Sequence, residues 1–116
     1  MKRKIKKQII KKKKEFRYHN VVTFNKRGKK IKIRHPTYVF LEKGNIYIYV
    51  SITHSSEIKG TILIKLRKNP NPKDKRPSYR MAIIQQDTKD TFGRKQINWQ
   101  IDPEDDKEIR NSYKKR

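Results

Sequence analysis

The chain has 116 residues, with 33 Lys and Arg against 11 Asp and Glu and a formal net charge of +22. This length leaves room for one domain, and the absence of Cys excludes disulfides, thiolate metal sites and thiol nucleophiles. No apolar run approaches the roughly 18 residues of a membrane span, and the basic N-terminus lacks the apolar region of a secretory signal, so we expect a cytoplasmic protein without membrane contact.

The first 18 residues contain ten Lys and Arg and a single acid, Glu15. Like charges at neighbouring helical positions oppose a stable helix. We therefore predict that residues 1–18 are a flexible or conditionally helical arm that becomes ordered on a polyanion, and that residues 19–116 are the folded domain. A solvated tail without a role is the alternative. The expected contacts of the arm are Lys2, Arg3, Lys4, Lys6, Lys7, Lys11, Lys12, Lys13 and Lys14.

Short alternating segments follow the arm. Residues 21–24 and 29–34 are predicted strands around a turn at 25–28, and Pro36 should interrupt the second strand because it cannot donate to a ladder. Residues 38–42 and 46–53 flank a Gly-containing loop, which is typical of a hairpin.

The segment 46–53 has the clearest strand pattern in the chain. Ile46, Ile48, Val50 and Ile52 alternate with Tyr47, Tyr49, Ser51 and Thr53. If the tyrosine face is open, Tyr47 and Tyr49 make a platform on which bases can stack. We favour the alternative, in which they pack under the C-terminal helix with Tyr113 and Trp99.

Two further strands are predicted at residues 61–67 and 78–86, separated by the Pro-rich segment KNPNPKDKRP (68–77). A polar loop at 87–95 precedes a last strand at 97–101. Asp102 as N-cap and Pro103 at the first helical position predict a C-terminal helix. The pattern indicates an α+β domain, with a mostly antiparallel curled sheet of about five strands, a C-terminal helix and a basic N-terminal arm.

Several kinds of catalytic site are missing from the sequence. It has no P-loop, no zinc-ligand spacing and no GxSxG motif, and five of its eleven acids cluster where the helix begins. A two-metal nuclease needs several convergent carboxylates. We therefore expect no metal and no cofactor.

Histidine is the remaining candidate for acid–base chemistry near neutral pH. His19 falls in the basic region and is interpreted as a bystander. His35 precedes a strand, and His54 lies where a predicted strand opens into a loop; a solvent-exposed loop histidine is an equally good reading of His54. With His54 or His35 as acid or base, metal-independent RNA cleavage suits this inventory, because the ribose 2′-hydroxyl is itself the nucleophile. The supporting residues would be Lys65, Arg67, Ser78, Tyr79 and Arg80.

Residues 35–99 resemble a group of small proteins from mobile elements and phages of low-GC Gram-positive bacteria. The segments that carry the likeness are HPTYVF (35–40), ITHS (52–55), KNPNPKDKRPSY (68–79), and FG and NW at 92–93 and 98–99. The layout of an N-terminal segment, a curled sheet and scattered His, Ser, Tyr and Arg is similar to the barnase/RelE-like superfamily of metal-independent ribonucleases, which includes toxins. That resemblance implies His54, Arg67, Ser78 and Tyr79 as site residues, whereas the long basic arm departs from a minimal toxin domain.

The charge surplus makes RNA or DNA the expected partner, because neutralising phosphates releases counterions. The first hypothesis is a nucleic-acid-binding protein of a phage or mobile element, directed to RNA, which grips phosphate through the arm, Lys65 and Arg80. The second is a toxin-like endoribonuclease that uses His54. The third is an adaptor or inhibitor that binds an acidic protein surface, and an antitoxin is an acidic partner compatible with the second.

Overall fold

The computed structural model describes residues 9–115. Seven strands and one helix follow one another along the chain, with a 3₁₀ turn at Lys89–Thr91 between the last two strands. The elements are β1 (Ile10–Phe24), β2 (Lys30–Lys43), β3 (Ile46–Thr53), β4 (Leu63–Lys65), β5 (Tyr79–Met81), β6 (Gln85–Thr88), β7 (Phe92–Lys95) and α1 (Pro103–Lys114). Every strand pair is antiparallel.

The sheet has the order β4-β5-β3-β2-β1-β7, and β6 pairs with the half of β3 that β5 leaves free. β6 and β7 border opposite sides of the β3-β2-β1 group, yet only the short 3₁₀ turn joins them. The sheet must therefore curl strongly, so that the chain between β6 and β7 crosses one of its faces.

Each face of the sheet carries its own apolar cluster. On the face covered by α1, which we call the helix face, the buried residues are Phe16, Tyr38, Phe40, Ile48, Val50, Ile52, Leu66 and Ile109. On the opposite face, which we call the reverse face, they are Val39, Tyr47, Tyr49 and Phe92. The strict alternation of β3 explains the division, because successive side chains of a strand point to opposite faces.

The helix α1 begins as its sequence predicts. The Asp102 carboxylate accepts hydrogen bonds from the backbone N–H groups of Glu104 and Asp105, and Pro103 occupies the first turn. Ile109 is fully buried against the sheet, and Tyr113 packs on the same cluster. Within residues 9–115, no helix is long and apolar enough to cross a membrane.

The mostly antiparallel α+β architecture is confirmed, with more strands than expected. β1 begins at Ile10, so residues 10–18 of the expected arm form a strand that pairs with β2 and, at Arg17, with β7, and the prediction of a flexible or helical segment is wrong there. Local acids reduce the repulsion, since Glu42 pairs with Lys11 and Lys13, and Glu15 pairs with Arg17. Residues 1–8 lie outside the described residues.

Other boundaries also differ from the sequence prediction. β2 continues through Pro36, which is tolerated because β2 is an edge on one side there, its pairing with β3 ending at Thr37. β4 and β5 are shorter than predicted. Residues 97–101 form no strand, and the predicted polar loop instead contributes β6 and β7.

Candidate nucleic-acid interface

The outer parts of β1 and β2 form a two-stranded ribbon, residues 20–34, which we call the β-ribbon. β7 pairs with β1 only as far as His19, and β3 pairs with β2 only as far as Thr37. Beyond those residues, β1 and β2 pair with each other up to Phe24 and Lys30. Asn25 and Gly28 close the turn: the Asn25 side chain accepts the N–H groups of Arg27 and Lys29, and Gly28 has a φ of 74°.

All the charged side chains of the β-ribbon are cationic. No Asp or Glu occurs between residues 16 and 41 of the sequence. In the described chain, none of the six cations of the β-ribbon forms an ion pair, so their charges are not neutralised locally. The six are Lys26, Arg27, Lys29, Lys30, Lys32 and Arg34.

The register sorts the β-ribbon into two different faces. Val22 pairs with Lys32 and Phe24 pairs with Lys30, on the face that continues into the helix face of the sheet. The other face carries β-branched residues of both strands, such as Val21 opposite Ile33. Phe24 is 68% exposed. One face of the β-ribbon therefore combines regularly spaced cations with accessible apolar side chains.

A pocket of about 390 Å³ lies along the Pro-rich loop, and we call it the loop pocket. Its walls contain three of the predicted site residues, Lys65, Arg67 and Ser78. Three further cations, Lys68, Lys75 and Arg76, also line it.

His54 lies beside this loop. Its Nε2 is 3.2 Å from Asp74 Oδ2, and its Nδ1 is 3.3 Å from the carbonyl oxygen of Pro77. Both partners can only accept, so His54 can donate to both at once only as the imidazolium. Asp74 also binds Arg76 through two hydrogen bonds, and these bonds hold the pKa of Asp74 well below its usual range. The structure thus brings His54 to the same loop as Ser78 and Arg67.

Arg67 is engaged with α1. Its guanidinium donates to Asp105 at 2.7 Å and to Glu108 at 2.6 Å, and its backbone N–H also donates to Asp105. These bonds raise the pKa of Arg67 and lower that of Glu108. The arrangement ties the Pro-rich loop to the helix, so Arg67 has an evident structural role that the sequence did not indicate.

Arg80 is buried on the helix face and does not contribute to an accessible basic surface, which corrects the prediction that it contacts nucleic acid. It is 4% exposed, and burial lowers its pKa. The preceding residue, Tyr79, points to the opposite face of the sheet. It pairs with Lys65 and Thr53, so these three side chains share the reverse face.

Two buried polar atoms lack partners among the described residues: Ser78 Oγ and Arg80 Nη1. Leaving such a group unsatisfied costs about 1–3 kcal/mol. Ser78 also lines the loop pocket, so its hydroxyl combines a missing partner with a place in a candidate site.

The two other histidines differ in burial: the predicted site residue His35 is exposed, whereas His19 is buried. His35 is exposed on β2, directly opposite His19. His19 is 5% exposed, stacks on Phe92 at 4.5 Å, and bonds Asp87 through Nε2 at 2.9 Å. His19 therefore belongs to the core of the reverse face, and its interpretation as a bystander in the chemistry stays a prediction.

Tyr47 and Tyr49 do not form an open platform. Both are buried, and burial raises the pKa of Tyr49 to about 12. They pack edge-on against Phe92 on the reverse face and not under α1, which covers the isoleucine side of β3. The preferred interpretation was thus right about their burial and wrong about the face.

Two partly accessible aromatic residues meet at the base of the β-ribbon. Tyr18 and Trp99 meet edge to face with ring centroids 6.2 Å apart, and Arg34 Cζ lies 5.0 Å from the Tyr18 centroid. A second pocket of about 380 Å³ opens here, and we call it the aromatic pocket. It is lined by Tyr18, Asn71, Pro72, Lys73, Gln96, Ile97, Asn98 and Trp99.

Among the lysines predicted to lie in the arm, Lys11 and Lys13 are engaged with Glu42, whereas Lys12 and Lys14 are exposed. The predicted contacts Lys2, Arg3, Lys4, Lys6 and Lys7 fall outside the described residues. Over residues 9–115, no group of three or more His, Asp or Glu side chains could hold a metal ion.

The sequence analysis missed the β-ribbon cations and the aromatic pocket. The first shows in the sequence only as an acid-free interval, residues 16–41, and eleven acids scattered over 116 residues leave a gap of this length by chance. The pocket has no signal in the sequence, since Tyr18 and Trp99 are 81 positions apart and meet only through the packing of the 96–99 loop on β1. No protein-family model, no curated protein and no solved structure matches this chain significantly.

Proposed function

We propose that this protein binds nucleic acid, with RNA as the preferred target, and that the β-ribbon is its principal phosphate-binding element. The observation that carries the proposal is the segregation of charge. The acids of the described chain lie on the body of the fold, where most are paired, whereas the β-ribbon presents six unpaired cations.

A two-stranded ribbon has the right shape for such a partner. A two-stranded ribbon is narrow enough to lie along a strand of nucleic acid, and its backbone spacing places alternate side chains at regular intervals along a phosphate chain. The apolar Val22 and Phe24 between the cations add contacts that bulk charge cannot supply. The combination favours a nucleic acid over an acidic protein surface, which offers no regular line of charges.

The test compares two variants with the same net charge. In the first, Lys26, Lys29, Lys30 and Lys32 of the β-ribbon are changed to Gln. In the second, the exposed Lys59, Lys107, Lys114 and Lys115 are changed to Gln. Affinity for a 20-nucleotide RNA, its DNA equivalent and a 20-base-pair duplex is measured across salt concentrations.

The β-ribbon variant should lose affinity and show a flatter salt dependence, by about 0.7–0.9 in log–log slope for each lysine that contacts a phosphate. The control should retain most of the wild-type slope. Equal losses in the two variants would show that net charge alone attracts the nucleic acid. Absence of binding by the unaltered protein near 0.1 M salt would refute the proposal as a whole.

Metal-independent RNA cleavage is a second candidate function, supported by the approach of His54 to the loop pocket that Arg67 and Ser78 line. In this reading, His54 exchanges a proton with the ribose hydroxyl or the departing oxygen, and the lysines of the pocket stabilise the charge of the transition state. Incubation of RNA with EDTA tests it. His54→Ala should abolish cutting and leave binding intact, whereas Ser56→Ala, an exposed change in the same loop, should leave both unchanged. Uncut RNA with the unaltered protein excludes this function.

A further inference from the structure

We infer that the aromatic pocket binds one unpaired nucleobase, by stacking against Tyr18 and Trp99 and by hydrogen bonds from the amides around it. This inference rests on the proposed function and adds to it a preference for single-stranded or locally unpaired nucleic acid. The aromatic pocket and the loop pocket are separate cavities. Of their lining residues they share Asn71 and Pro72, which belong to the loop between them.

The aromatic wall is rigid and yet accessible. Trp99 packs on the buried Phe16 with centroids 5.7 Å apart, so the protein core fixes its position. Trp99 and Tyr18 nevertheless remain partly exposed and line the pocket, and the adjoining Ile97 is 81% exposed. An aromatic surface that is held in place and left uncovered can stack on a base, a contact worth about 1–3 kcal/mol.

The amides around the wall can read the edge of a base. Asn71, Gln96 and Asn98 line the pocket, and no hydrogen bond of the Asn98 side chain occurs within the described chain. Asn98 also has a φ of 69°, the one positive φ among the described non-glycine residues. Asn adopts this conformation readily in turns, so the backbone holds the amide at the pocket without marked strain.

The charge around the pocket suits a nucleotide. Lys73 lines it, Arg34 lies over Tyr18 at its border, and neither forms an ion pair within residues 9–115. No acid is among the lining residues. A base that enters from the β-ribbon side therefore keeps its phosphates close to cations while its ring meets the aromatic wall.

The geometry selects an unpaired base. In a duplex, the faces of a base are stacked and its pairing edge is occupied, so neither is available to Trp99 or to the amides. Unpaired RNA and unpaired DNA both offer a base with free faces and a free pairing edge. The experiment below distinguishes RNA from DNA.

Trp99 is the single Trp of the chain, so its fluorescence reports on this pocket directly. The full-length protein is titrated to saturation with (rU)₁₂, (dT)₁₂, a 12-base-pair duplex and inorganic polyphosphate. Single strands should quench Trp99 emission, whereas polyphosphate should bind through the cations without quenching it. Quenching by (rU)₁₂ alone assigns the pocket to RNA, and quenching by both strands assigns it to either nucleic acid.

Variants test the same point without fluorescence. Tyr18→Ala should lower affinity for (rU)₁₂ about 10-fold, within the range of one lost stacking contact, and Tyr18→Phe should retain most of it. Asn98→Gly removes the amide and tolerates the positive φ, so it tests the edge contact without straining the loop. The affinity of Ile97→Ser for (rU)₁₂ is compared with that of Ile62→Ser, a change at a similarly exposed residue outside the pocket.

Two results would overturn the inference: equal emission changes with (rU)₁₂ and polyphosphate, or unchanged affinity in both Tyr18→Ala and Asn98→Gly. If binding still depends on the β-ribbon lysines in that case, the proposed function stands and the base pocket alone fails. If the unaltered protein binds no polyanion, both fail together.

Discussion

The guanidinium of Arg34 lies over the ring of Tyr18, with Cζ 5.0 Å from the ring centroid. Arg34 is the last cation of the β-ribbon before the body of the protein, and Tyr18 is the first aromatic residue of the pocket. The contact therefore joins the two parts of the candidate interface. A strand of nucleic acid held along the β-ribbon would reach the aromatic wall at this residue.

Arg34 should contribute one phosphate contact and little stability. We expect Arg34→Gln to flatten the salt dependence of binding by about 0.7–0.9 in log–log slope. Its free energy of unfolding should change by less than about 1 kcal/mol, because the cation–π contact is exposed. Arg34→Lys keeps the charge and should keep the slope; a slope equally reduced in both variants would contradict the phosphate assignment.

A second prediction concerns the buried carboxylate under α1. Asp106 accepts from the Tyr38 hydroxyl at 2.6 Å and from Arg110 Nε at 3.0 Å. Arg110 also donates to the carbonyl oxygens of Phe40 and Lys13, so this group fastens the helix to β1 and β2. Burial alone would raise the pKa of Asp106, but the bonds from Arg110 and Tyr38 outweigh it and lower the pKa.

The lowered pKa fixes the sign of the pH dependence. The contribution of Asp106 is present above the pKa of an unfolded Asp, about 4, and is lost as pH falls through the lower folded value. At pH 7, Asp106→Asn should cost about 3 kcal/mol, because it leaves Arg110 buried without its charge partner. Denaturant unfolding at pH 7 and pH 3 measures the free energy of unfolding of both proteins. The difference between Asp106→Asn and the unaltered protein should be smaller at pH 3.

Asp90→Asn is the control for this experiment, since Asp90 is exposed and its carboxylate accepts from Thr88. It should shift stability by no more than about 0.5 kcal/mol at either pH. A penalty for Asp106→Asn that stays constant between pH 3 and pH 7 would show that the pKa of Asp106 is the same in the folded and the unfolded protein.

A third prediction concerns the unpartnered hydroxyl of Ser78. Because Ser78 Oγ is buried without a hydrogen bond in the described chain, Ser78→Ala should stabilise the fold by about 1 kcal/mol in urea unfolding. Ser51→Ala removes a hydroxyl that bonds Gln85 and should give no gain. A loss of stability in Ser78→Ala would mean that the hydroxyl has a partner in solution.

The same variant bears on cleavage. If the loop pocket cuts RNA and the Ser78 hydroxyl contacts the scissile phosphate, Ser78→Ala should be more stable and less active than the unaltered protein. Stability gained without loss of cutting would remove Ser78 from the site and leave its burial as a structural feature.

The local pattern of the sequence was sufficient for the elements whose determinants lie close together in the chain. The alternation of residues 46–53 predicted β3, and the Asp102–Pro103 start predicted α1, because strand periodicity and helix capping act over a few residues. The hairpin turn before β3 follows from Gly44, which adopts a φ of 57°. The interval between residues 16 and 41 is likewise free of acids in the sequence, but that absence does not show that its cations lie on a projecting ribbon.

Only the tertiary structure decided the fate of the basic N-terminal segment and of the candidate site. Residues 10–18 become a strand because β2 pairs with them, the distant β7 joins at Arg17, and Glu42 offsets their charge. His19 bonds Asp87 across 68 positions of the chain, Arg80 pairs with Ile52 and Ile64 of two other strands, and Tyr18 meets Trp99 from the opposite end of the fold's sequence. Composition sets the charge of this protein, but which cations face solvent and which aromatic rings stay uncovered depends on long-range pairing, which no local pattern encodes.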